Sequence, residues 1–91
     1  MPKLLITQEL AMENAIKSAL EFLLRNGEPL DLRIHYKNKE EIGSDIEMLE
    51  NVSEFETGFL RVAFTGTDLE NGSKYTVKRN IGAIDYIEVE L

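Results

Sequence analysis

The apolar positions of this chain change their period once. Between Gln8 and Asn26 they recur at helical spacing, with Met12, Ala15, Ile16, Ala19, Leu20 and Leu23 on one stripe. Glu9, Glu13, Lys17, Glu21 and Arg25 form a charged row on the other side, so the stretch predicts an amphipathic helix. Thr7 suits its N-cap, and Gly27 with Pro29 suits its end. From Leu30 onward the period falls to two. Leu30, Leu32, Ile34 and Tyr36 alternate with Asp31, Arg33, His35 and Lys37, which predicts a half-buried strand. Asp45 to Val52 predicts a second strand with Ile46 and Met48 on one face. Leu49 breaks that alternation and signals a bulge or bend. A short helix over Glu40 to Leu49 is the competing reading. Ser53 to Gly58 is expected to turn back.

Leu60, Val62 and Phe64 then alternate with Arg61, Ala63 and Thr65, and Tyr75 and Val77 with Lys74, Thr76 and Lys78. Asn71-Gly72 between the two runs is a hairpin signal, because tight primed turns need positive φ. Thr65 to Asp68 lengthens the connection, and Gly66 is expected to serve it. Ile84 to Leu91 predicts a last strand with Ile87, Val89 and Leu91 on one side. Pro2 to Ile6 is either an edge strand or a segment packed on the helix. The chain therefore reads as one α+β domain: an N-terminal helix followed by about five antiparallel strands, forming a twisted sheet or a partly open small barrel. Its expected core joins Phe64, Val62, Leu32, Ile34, Tyr75, Val77, Leu20 and Ile16.

Charge adds a second layer. The chain of 91 residues carries 17 acids against 10 bases, a net charge of −7. Glu40, Glu41, Asp45, Glu47, Glu50, Glu54 and Glu56 lie in one segment with no base, and seven minus zero is the whole imbalance. The other residues hold 10 acids and 10 bases. Such a segment disfavours a nucleic-acid backbone and favours a protein partner with a basic surface. No apolar run reaches the length of a membrane span, and no secretory pattern opens the chain, so a cytoplasmic location is expected. Edge strands leave a homodimer open.

The chemistry available is narrow. There is no cysteine and only one histidine, His35, expected on the outer face of its strand. Three converging metal ligands are not at hand, and no nucleophile motif stands near His35. No cofactor, metal site or catalytic residue is expected. A basic counterpart exists in Arg61, Lys74, Lys78 and Arg79, either paired internally with the neighbouring acidic strand or open to nucleic acid.

The order of elements resembles the Sm-like small barrels, and most closely the WYL modules of bacterial regulators. Gly58-Phe59-Leu60 stands at the Trp-Tyr-Leu signature, with Gly for Trp and Phe for Tyr. Asp68 and Gly72 stand where that family turns. Tyr75 and Arg79 match its Phe and Arg on the following strand, and Leu32 to Tyr36 resembles its opening strand. The resemblance covers about residues 13 to 89. It implies a ligand- or nucleic-acid-sensing patch at Phe59, Arg61, Lys74, Tyr75, Lys78 and Arg79. Together these features predict a non-enzymatic regulatory or protein-interaction module with Glu40 to Glu56 as its contact surface. The alternatives are an acidic inhibitor that imitates nucleic acid and a WYL-like sensor.

Overall fold

A computed structural model describes residues 3–7, Ser18, Glu21, Arg25 and residues 28–90. Six strands follow one another: β1 (Lys3–Thr7), β2 (Leu30–Tyr36), β3 (Ile46–Gly58), β4 (Arg61–Thr67), β5 (Lys74–Asn80) and β6 (Ile84–Glu90), with a 3-10 turn over Ile81–Ala83 before the last. They make one antiparallel sheet in the order β1-β6-β2-β3-β4-β5. The lead-in segment is thus an edge strand on β6.

The expected α+β class is corrected by this sheet. The elements bounded among the described residues are six strands and one 3-10 turn, and the buried core among those residues is assembled from strand residues and Ile81 alone. An amphipathic stripe is only a propensity, and packing decides which elements make the fold. Of the helix expected over Gln8 to Asn26 only Ser18, Glu21 and Arg25 are described, the first two in helical conformation and Arg25 in a turn; the rest, with Ile16 and Leu20, falls outside the described residues.

The core is Leu32, Ile34, Tyr36, Leu49, Val52, Val62, Phe64, Ile81, Ile84, Ile87 and Val89. Leu32, Ile34, Val62 and Phe64 fall where the alternation puts them. Tyr75 and Val77 are only partly buried against the core, because β5 is the last strand of the sheet. Leu60 lies outside the core, in the two-residue turn between β3 and β4.

β3 is the element that shapes the molecule. Its first half pairs with β2 and its second half with β4. Between Leu49 and Val52 it advances three residues while β2 advances two, from Leu32 to Leu30. Both apolar residues therefore face the core despite their odd spacing, and Leu49 marks a bulge as the broken alternation suggested. Asn51 takes positive φ of 56°, a conformation Asn tolerates, and its N–H donates to Asp31 Oδ1 at 3.0 Å. A second extra residue lies between Val52 and Glu54. The stretch expected to turn at Ser53 is instead continuous strand, and Glu40 to Leu49 is turn and strand rather than helix.

These bulges curl the sheet until β5 faces the first half of β3 across a gap with no backbone pairing. Side chains bridge it. Arg79 of β5 reaches Glu47 of β3, and the Tyr75 hydroxyl donates to the Glu50 carbonyl oxygen. Gly66, the penultimate residue of β4 and not part of the turn, lets this happen. A Cβ there would lie 2.5 Å from the Tyr75 hydroxyl and 2.9 Å from Glu50 O. The loop Asp68–Ser73 carries the positive φ of Gly72, 75°, where the Asn-Gly pair placed it.

Candidate functional site

The seven acids of Glu40 to Glu56 occupy three environments rather than one face. Glu41 is half-buried, and its carboxylate accepts from the Asn80 N–H at 2.5 Å. Glu47 faces inward from β3. It accepts from the Tyr36 hydroxyl at 2.6 Å and from Arg79 Nε and Nη2 at 2.9 and 2.6 Å. Burial raises the Glu47 pKa, but the bonds from Arg79 and Tyr36 outweigh it and hold the carboxyl below its ordinary value. The same cluster raises Arg79 through its bond to Glu47, and raises Tyr36 through burial and then the Glu47 bond. Glu47 and Arg79 are thus structural, closing the gap between β3 and β5. Glu40, Asp45, Glu50, Glu54 and Glu56 are exposed. Of these, Glu54 and Glu56 project from the hairpin half of β3 opposite Thr65 and Ala63, while Glu50 stands at the gap.

The basic set divides in the same way. Tyr75 and Arg79 turn toward the gap, away from Phe59, which is 88% exposed in the β3–β4 turn. Arg61 and Lys78 border a shallow depression over Gly58 and Ala63, with Glu56 on its rim. Lys74 lies at the far end of β5, and no ion pair joins Arg61, Lys74 or Lys78 to the acids among the described residues. His35 does lie on the outer face, but it is half-buried there. Its ring stacks on Tyr86 with centroids 4.1 Å apart, and Nε2 is 2.6 Å from Glu88 Oε1.

A cleft of about 350 Å3 lies between β3 and β5, lined by Met48, Leu49, Glu50, Thr67, Asp68, Leu69, Glu70, Tyr75 and Val77. Its apolar lips are unusually open: Met48 is 64% exposed and Leu69 67%. Three carboxylates line it and no base does. Burial and then the Glu50 carboxylate raise the Tyr75 pKa, so its hydroxyl stays a neutral donor to Glu50 O. A smaller hollow of about 70 Å3 shares Met48, Leu49 and Glu50 and adds Asp31, Arg33, Glu88 and Glu90. The two hollows that share Met48 are together lined by six acids, with Arg33 the single base. Only Glu50 of these comes from the acidic segment. Asp31, Asp68, Glu70, Glu88 and Glu90 are scattered in sequence, and the one local signal was an exposed Leu69 between two acids in a turn.

Among the described residues no group of three or more potential metal ligands converges, and no helix is long and apolar enough to cross a membrane. Comparison with protein-family models, curated proteins and solved structures finds no match to this chain.

Proposed function

We propose that this protein is a non-enzymatic interaction module that acts through a protein partner, holding a basic and apolar segment of it in the cleft between β3 and β5. The observation that carries the reading is the cleft's composition: exposed Met48 and Leu69 at the lips, with Glu50, Asp68 and Glu70 and no base. Apolar surface left open in a groove is a common mark of a contact site, and the carboxylates supply attraction and selectivity for a cation. Regulation of the partner would follow from occupancy of this cleft. The alternative of an acidic mimic of nucleic acid draws on the same carboxylates, but the apolar lips favour a peptide. The resemblance to WYL-type, Sm-like modules rests on short motifs, and the succession of β2 to β6 neither adds to it nor removes it. Its sensing patch is weakened by the separation of Tyr75 and Arg79 from Phe59.

The test is fluorescence anisotropy with a labelled heptapeptide, Arg-Val-Thr-Val-Thr-Val-Arg, against a version with Glu at both ends and one with Ser for each Val. The first should bind, more weakly as salt rises, and the controls should not. Glu50→Lys with Glu70→Lys should weaken it at least tenfold, while Glu54→Lys with Glu56→Lys should not. Equal binding by all three proteins, or to all three peptides, overturns the reading.

A further inference from the structure

The backbone of β5 shows how such a segment would be held. Arg61 and Asn80 face each other across β4 and β5, and the neighbouring bond runs from the Ile81 N–H to Leu60 O. At the other end Thr67 faces Lys74, and the neighbouring bond runs from the Asp68 N–H to Ser73 O. Both patterns belong to non-hydrogen-bonded pairs, whose own N–H and C=O groups point away from the partner strand. The register of this pair has no shift. Lys74, Thr76, Lys78 and Asn80 therefore present their backbone groups to the outer edge of β5. One end of that edge is already capped by side chains: Asn80 N–H donates to Glu41, and Lys78 O accepts from Arg79 Nη1 at 2.8 Å. The Lys74 and Thr76 groups carry no such cap among the described residues, and they lie beside Tyr75 and Val77, which line the cleft.

We infer, resting on the cleft reading above, that the partner segment binds as an added extended strand along the Lys74–Thr76 half of the β5 edge. Main-chain bonds to Lys74 and Thr76 would supply the pairing, and alternate side chains the specificity. The inward residues of the segment are apolar, toward Val77 and Leu49, with the exposed Met48 at the lip. The outward ones beside Lys74 and Lys78 are neutral, and a flanking base meets Glu50, Asp68 or Glu70. A second copy is a poorer occupant. Antiparallel pairing of two β5 strands about Thr76 sets Lys74 against the other copy's Lys78, and like charges directly opposed are destabilising.

Thr76→Pro removes an outward N–H without removing a bond of the β4–β5 ladder, since proline is tolerated where an edge strand's N–H faces solvent. It should leave thermal unfolding cooperative and weaken the Arg-flanked Val-Thr peptide at least tenfold. Val77→Pro, which strikes an inward N–H, should disrupt the fold and confirms the edge assignment. Amide exchange on the unaltered protein decides the matter if Thr76→Pro does not fold. Saturation with the peptide should slow exchange at Lys74 and Thr76. Full binding by folded Thr76→Pro, or unchanged exchange at both amides, overturns strand addition while leaving the Glu50 and Glu70 result standing for the cleft. Protection that rises with protein concentration alone assigns the edge to a second copy and also overturns it. If the unaltered protein does not bind the peptide, the cleft reading and this inference fall together.

Discussion

Arg79→Met tests the closure of the gap between β3 and β5. The guanidinium makes two bonds to Glu47, and the two side chains are 22% and 14% exposed. A hydrogen bond to a charged group contributes about 1.5–3 kcal/mol, and removing one member of a buried ion pair costs about 3–5 kcal/mol. Partial exposure of Arg79 lowers that figure, and Tyr36 still donates to Glu47, so the expected loss at pH 7 is about 2–3 kcal/mol. Against a total of about 5–15 kcal/mol for a domain, this is easily measured. The pH dependence is the sharper signature. In the native protein the Glu47 pKa lies below its ordinary value of 4.5. Its contribution is therefore present above that value and is lost as pH falls through the folded pKa. Without Arg79, burial is opposed by Tyr36 alone. The depression of Glu47 shrinks or reverses, and so does the stability that its ionisation adds. Urea unfolding followed by circular dichroism from pH 7 to 3.5 should show the gap between the two proteins closing as acid is added. Other carboxylates titrate in both proteins and largely cancel. A gap that does not change with pH, or one under roughly 0.5 kcal/mol as for an exposed pair, refutes the closure.

Phe64→Ala removes a fully buried ring and should cost about 3–5 kcal/mol in the same assay; a cost under roughly 1 kcal/mol would mean that the faces of β4 are misassigned. Gly66→Ala would set a Cβ 2.5 Å from the Tyr75 hydroxyl and 2.6 Å from its Cζ, so the ring must leave Glu50 O and the melting temperature should fall, with no rescue by Tyr75→Phe, which keeps Cζ; an unchanged melting temperature would show that Tyr75 does not pack there.

Strands are written in this sequence because a two-residue period has one physical cause, a pleat with one dry face. Leu32, Ile34, Val62 and Phe64 could be assigned from it, and so could the positive φ of Gly72. The broken period at Leu49 announced a bulge, but not that β3 would change partners in mid-strand. That depends on extra residues counted against β2 and β4, which only pairing reveals. The acidic run was equally legible as composition and not as a surface. Glu47 cannot be reversed to Lys without setting two cations side by side at Arg79. Its inward direction follows from the register with Ile34, and its cation comes from a strand 32 residues away. Gly66 looked like a turn residue and is a contact residue, since its lack of a side chain matters only once Tyr75 lies across it. The cleft is likewise tertiary. Glu50, Asp68 and Glu70 share no local pattern, and they meet because a curled sheet brings β5 and the loop before it back toward β3, whereas Asp31, Glu88 and Glu90 reach the neighbouring hollow through the pairing of β2 with β3 and β6. Local sequence determined which residues could be dry; the closing of the sheet decided which charges would become neighbours.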